Sequence, residues 1–399
     1  MALPPMTTVA RMLRTTTEYL AGELALPQAT APDWSALEWR TARAVTAMHG
    51  ISGLLAVRLR WQGPLGWAEF LRSQHGHITE RQARIEALLR LVADRCRQEG
   101  IPVQALKGAA LCLEGVYRAG ERPMADLDLL APRQDTERLG RVLETLGLQE
   151  THRTFKHRVF EAPDAPRPSN FGEHAGNDLK IELHDRICEI LPHRQTDISH
   201  LVLPRAAVAG LNPYPSRAAL IAHLLLHAAG AMASRSLRLI QLHDIDRLGR
   251  HLAEEDWQWL LDWRPWWAWP VLALSARYFG EVMPPQVASG IRALCPVLLR
   301  HACARQRLSD VSLSRLWLEA FPGIEWAHTI SEAVAFFARR IVPSAELLSE
   351  RKFELLTDPT LARCDWAGLS QSRRILRALR SRTPRPRPLY NVREALAGH

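Results

Sequence analysis

Two aspartates one residue apart, Asp126 and Asp128, stand in the apolar run RPMADLDLLAP at residues 122–132. In an extended chain, residues two apart point to one face, so the pair projects together while Leu127 and Leu129 point to the other. Two neighbouring carboxylates repel and need solvent or a cation. A divalent ion resolves the repulsion, and Mg²⁺ prefers oxygen ligands. A half-exposed edge strand with two solvated acids has the same pattern, and D-x-D alone does not separate the two readings.

Three further features favour a metal. The turn Lys107-Gly108-Ala109 lies about 20 residues upstream, between a short apolar run and a helical stretch. Such a turn can bring backbone N–H groups to a phosphate. Glu182, in the alternating stretch KIELH, delivers a third carboxylate if its strand lies beside the first. Arg122 precedes the aspartates and offers a rigid donor fork for phosphate oxygens, with Lys180 as a weaker candidate.

The segment LKGAALCLEGVYRAGERPMADLDLLAP, followed by IELHDRI, resembles the bacterial uncharacterised nucleotidyltransferase family of the DNA polymerase beta-like nucleotidyltransferase superfamily. The motifs cover roughly residues 100–190, and the likeness extends to about 330 through ALIAHLLLHAA and LRLIQLHDIDRL. The resemblance implies that Asp126, Asp128 and Glu182 are both metal ligands and catalytic residues. It implies that Lys107 and Gly108 form the turn meeting a triphosphate. Its chemistry is Mg²⁺-dependent (Mn²⁺ as the alternative) transfer of a nucleoside monophosphate from an NTP, ATP first, to a hydroxyl of a small molecule, peptide or protein. One departure stands out. The superfamily's turn commonly carries a serine after the glycine, and here that residue is Ala109. The competing implication is a catalytically silent nucleotidyltransferase-like binding or assembly protein.

The elements that must position these residues follow from periodicity. Residues 1–95 carry apolar residues at three-to-four spacing and predict a helical region. Residues 96–204 predict strand–helix–strand–helix–strand–loop–strand, with Asp135 as N-cap and Gly147 as stop of the second helix, and EAPDAPRPSNFGEHAGN as the loop. Residues 205–370 predict a helical domain, and 371–399 a basic tail. The fold class is α+β: a small mixed-sheet core between helical regions.

With 399 residues, 47% of them hydrophobic and 23% charged, the chain can bury a sizeable core and is not of disordered composition. Six cysteines without CxxC spacing fit free thiols in a reducing compartment. The start, MALPPMTTVARMLR, has no long apolar run before a cleavage site, and no later run makes a clear membrane span. A cytoplasmic protein is expected. The formal charge of +9 admits nucleic acid as a partner, but no nucleic-acid fold is indicated. Oligomeric state is not legible.

Other features carry two readings. His223 and His227, four apart on a helix, read as structural residues lining a cleft rather than half a metal site. His184 shares the face of Glu182. Arg238 and Asp244 read equally as nucleotide contacts or as internal ion-pair partners. Tryptophans 257–269 read as helix packing. In SRRILRALRSR, arginines surround Ile375, Leu376 and Leu379; a docked terminal helix with solvated arginines is favoured over a membrane or acidic partner, and TPRPRPLY is expected to stay extended.

Overall fold

The structure, a computed structural model, describes residues 3–154, 157–163, 171–191, 194–204, 206–345, 348, 351–352, 355, 359–362 and 364–398. Residues 164–170 of the proline-rich loop therefore lie outside the described residues.

Four helices lead in: α1 (Met6–Ala25), α2 (Ala36–His49), α3 (Ser52–Arg58) and α4 (Leu65–Gln98). The Ser35 hydroxyl accepts from the Glu38 N–H and the Glu38 carboxylate accepts from the Ser35 N–H, a capping box that starts α2. Gly50, at φ 65°, ends it. Residues 59–64 separate α3 from α4. Helix α4 runs past residue 95, and its C-terminal half packs on the sheet through Ile85, Leu89 and Val92.

The core follows as β1 (Pro102–Ala105), α5 (Lys107–Leu113), β2 (Leu127–Leu130), α6 (Thr136–Thr145), β3 (Gln149–Arg153), β4 (His157–Glu161), β5 (Ile181–His184), β6 (Cys188–Leu191), β7 (Arg194–Asp197), α7 (Ser199–Val202) and β8 (Gly210–Asn212). Six strands form one mixed sheet in the order β3-β4-β5-β2-β1-β8, while β6 and β7 pair separately. The α+β expectation holds. The single strand expected between the second helix and the loop is a hairpin, β3 and β4, and β8 joins the sheet edge parallel to β1. Asp135 precedes α6 without capping it, because its carboxylate accepts from Arg138 instead. Gly147, at φ 86°, does follow the helix end.

The sheet has two unlike faces. Leu127 and Leu129 of β2, Ile181 and Leu183 of β5 and Phe160 of β4 form a buried cluster with α4 and α6. Each leucine so buried contributes about 2 kcal/mol, enough to hold the strands while their other face carries charge. On that other face, Asp128, Glu182 and His184 look toward α8 (Arg217–Ala233), which α9 (Leu239–Gly249) follows.

The remaining helices include Ala268–Phe279, Ile330–Ile341, Gln371–Arg380 and Pro386–Ala397. Trp257 and Trp267 are buried in the helical core, consistent with packing. The arginine-rich helix forms where expected, but the segment after it corrects the reading of an extended tail. Pro386 takes a first-turn position, where its fixed φ suits a helix and its missing N–H costs nothing. The helix it opens buries Val392, Ala395 and Leu396, and Arg40 of α2 donates to the Leu396 carbonyl. All six cysteines are free thiols. No described helix is long and apolar enough to cross a membrane.

Candidate active site

The site is assembled by one strand register. Strand β2 pairs parallel with β5, matching Asp128 to Glu182 and Leu130 to His184. Side chains at matched positions share a face, so Asp128, Glu182 and His184 project together. The Leu127 N–H donates to the Lys180 carbonyl at 2.8 Å and fixes that register where Asp126 leaves the strand. Asp126 is the residue just before β2, not a member of it.

Arg81 of α4 holds the approach to both strands. Its guanidinium donates to the carbonyls of Met124 and Ala125, each at 3.2 Å, and of Asn177 at 2.7 Å. Its Nε stands 3.0 Å from Glu173 Oε2. Nothing local in the sequence marks Arg81, because the carbonyls it binds lie up to 96 residues away.

Opposite the carboxylates stands the Lys-Gly turn. Lys107 takes φ 46°, a conformation that residues other than glycine adopt uncommonly. Its Nζ donates to Asp128 Oδ1 at 2.7 Å, and His184 Nε2 lies 3.0 Å from the same oxygen. Lys180 Nζ donates to Glu182 Oε1. Lys107, Asp126, Asp128, Lys180 and Glu182 are thus brought together.

Arg122 is not. Its Nε and Nη2 donate to both oxygens of Asp244, at 2.9 and 2.7 Å, in a buried pair that also takes the Tyr117 hydroxyl at 2.8 Å. A guanidinium held bidentately by a carboxylate has no fork left for a phosphate. Arg122 supports the turn instead: a Cβ added to Gly108 would stand 2.0 Å from its Nη1. The two readings of Asp244 resolve to the ion pair. Arg238 donates from Nε to the Met48 carbonyl at 3.0 Å, and Glu173 and Asp126 are the acids acting on its charge.

The charges are unevenly balanced. Burial, then Glu182 and Asp128, pushes the Asp126 carboxyl up to about 6. Asp128 is held well below the usual carboxylate range: its burial opposes this, but the Lys107 ammonium and the bond with His184 win. Glu182 is lowered too, as Lys180, His157 and Lys107 outweigh its burial and the nearby Asp128. Burial lifts Glu173 to about 7 against the pull of Arg81. Burial also drops His157 to about 4, so its imidazole is neutral near pH 7.

A cavity of about 180 Å³ opens beside these groups, lined among others by Lys107, His157, Glu182, His184, His223 and His227. His223 Nδ1 pairs with the Tyr214 hydroxyl at 2.7 Å, and His227 faces Glu189. Both helix histidines therefore line the cleft, as expected. His157 was not singled out by sequence; it faces Glu182 only because β4 folds back along β5.

No curated protein and no solved structure matches the chain. A family model described as uncharacterised nucleotidyltransferase matches residues 35–276, well over half of the chain. The match begins at the N-cap of α2, takes in every strand of the sheet and ends within helix Ala268–Phe279. The chain belongs to this family of uncharacterised nucleotidyltransferases.

Proposed function

We propose that the protein is an Mg²⁺- or Mn²⁺-dependent nucleotidyltransferase that moves a nucleoside monophosphate from an NTP, ATP first, to a hydroxyl of a small molecule, peptide or protein. The observation that carries this reading is the β2–β5 register, which sets Glu182 beside Asp128 at the strand end where Asp126 emerges. The groups fit divalent cations. Three carboxylates face two ammoniums: Lys107 pairs with Asp128 and Lys180 with Glu182, while burial and the two neighbouring carboxylates raise the Asp126 pKa to about 6.

Asp126, Asp128 and Glu182 would hold the metal. Bound cations supply acidity to an attacking hydroxyl and offset charge on the departing pyrophosphate. The protein's own part is placement and charge balance. Lys107 and the Gly108 N–H region face the phosphates, with Lys180 as a second cation. The acceptor oxygen bonds to the α-phosphorus while the bond from that phosphorus to the bridging oxygen breaks, and pyrophosphate leaves. Glu182, which lines the cavity, receives the hydroxyl proton.

A second reading, a silent binding or assembly module, is favoured by one observation: Lys107 already neutralises Asp128 without a metal. The two separate in one experiment. The protein is incubated with each labelled NTP, Mg²⁺ or Mn²⁺ and cell lysate, and the labelled fraction is identified. The enzyme reading expects metal-dependent labelling that D126A and D128A abolish while circular dichroism stays unchanged. Full transfer by D128A would falsify the site, and absence of metal-dependent NTP binding by the wild type would favour the silent module.

A further inference from the structure

We infer that His157, Glu182 and His184 form a site for a divalent ion of the Mn²⁺, Co²⁺ or Zn²⁺ class, beside the aspartate pair and separate from it. The inference shares Glu182 with the nucleotidyl-transfer reading but does not rest on it.

Register builds the site. In the antiparallel β4–β5 pair, His157 lies directly opposite His184, and Glu182 is two residues before His184 on the same face. The two imidazole rings are 5.2 Å apart at their centroids. One ligand atom from each of the three residues lies within 4.8 Å of the others, which is true of no other such trio among the described residues.

The His157–Glu182 contact is that of two ligands rather than of hydrogen-bond partners. His157 Nε2 stands 3.8 Å from Glu182 Oε2, too long for a hydrogen bond. Two atoms each bonded to one ion at about 2.0–2.2 Å come to within a small closure of that spacing. Lys180 engages Oε1 of Glu182, so Oε2 is the oxygen turned to the imidazole. Asp128, 3.0 Å from His184 Nε2, holds that ring in place.

The donor set decides the metal class. Mg²⁺ favours oxygen ligands and gives up water reluctantly, whereas two imidazoles with one carboxylate suit the later first-row ions. All three residues line the 180 Å³ cavity, so the remaining coordination positions face space that can hold water or an acceptor group. Lys107 lines the same cavity, and its charge opposes the ion; its bond to Asp128 keeps the ammonium on the aspartate side.

The test is a Co²⁺ titration of chelator-stripped protein in excess Mg²⁺, read by the visible d–d absorption of nitrogen-ligated cobalt. The wild type should bind one Co²⁺ that Zn²⁺ displaces. H157Q should weaken binding by about tenfold or more. H184Q should do the same; because it also loses the Asp128 contact, H157Q carries the result if H184Q fails to fold. No cobalt band in the wild type, or wild-type affinity in a folded H157Q, overturns the site. The titration contains no nucleotide, so its outcome and that of the labelling experiment stand apart.

Discussion

Lys107 donates to Asp128 at 2.7 Å from a backbone held at φ 46°, so the residue of the phosphate turn also serves as counter-ion to the aspartate. The ammonium does for Asp128 what a metal would do for the pair. K107M removes that charge and leaves a buried carboxylate with only His184. It should destabilise the metal-free protein by about 2–3 kcal/mol, less than a fully buried pair would because the lysine retains some solvent contact. Millimolar Mg²⁺ should restore part of the loss in thermal unfolding. Equal destabilisation with and without Mg²⁺ would show that the two cations do not share a role.

Gly108 and Arg122 are coupled by contact. A methyl at position 108 would meet Arg122 Nη1 at 2.0 Å, and Arg122 is fixed by both oxygens of Asp244. G108A must therefore either displace the turn or break the buried pair. We expect a loss of about 3 kcal/mol in denaturant unfolding. The combination G108A/D244N should cost less than the sum of the single changes, because each disturbs the same guanidinium.

What the sequence revealed, and what it hid, follows from range. The D-x-D face and the alternation around Glu182 are period-two signals, readable within a few residues, and the register of β2 on β5 joined them. Arg122 is a different case. Its proximity to Asp126 suggested a phosphate ligand, while its partner Asp244 sits 122 residues away, where no local pattern can announce it. His157 carries no local signal, because the β3–β4 hairpin brings it to Glu182 while periodicity alone predicts one strand there. In the tail, three prolines in a short stretch point to extension, yet Pro386 sits where a helix accepts proline best.

Asp126 should make metal affinity pH-dependent. Its folded pKa, raised to about 6, lies above the ordinary aspartate value, so the folded protein binds the extra proton between them. That proton stabilises the metal-free fold below the unfolded value, and the contribution is lost as pH rises through about 6. Glu173, raised to about 7, has the same sign. Metal binding runs the other way, because it needs the carboxylate. Mg²⁺ affinity should fall by about tenfold per pH unit below 6 and level off above it. Isothermal titration at several pH values reads the slope, and D126N should flatten it. A pH-independent affinity across this range would remove Asp126 from the ligands.

The C-terminal helix Pro386–Ala397 should behave as core rather than as tail. Val392 and Leu396 are 1% and 5% exposed and pack on the helical bundle, whereas Leu379, on the preceding arginine-rich helix, is 65% exposed. Truncating buried side chains removes apolar contact and leaves a cavity, while truncating an exposed one does neither. V392A/L396A should therefore cost about 4 kcal/mol in denaturant unfolding, whereas L379A should change stability by less than about 0.5 kcal/mol. The Arg40 bond to the Leu396 carbonyl ties this helix to α2, and the family match begins at the N-cap of α2. Loosening the last helix should thus lower the unfolding midpoint of the whole molecule in one transition. A separate early transition in the double variant, with the main midpoint unmoved, would show that the helix is an appendage.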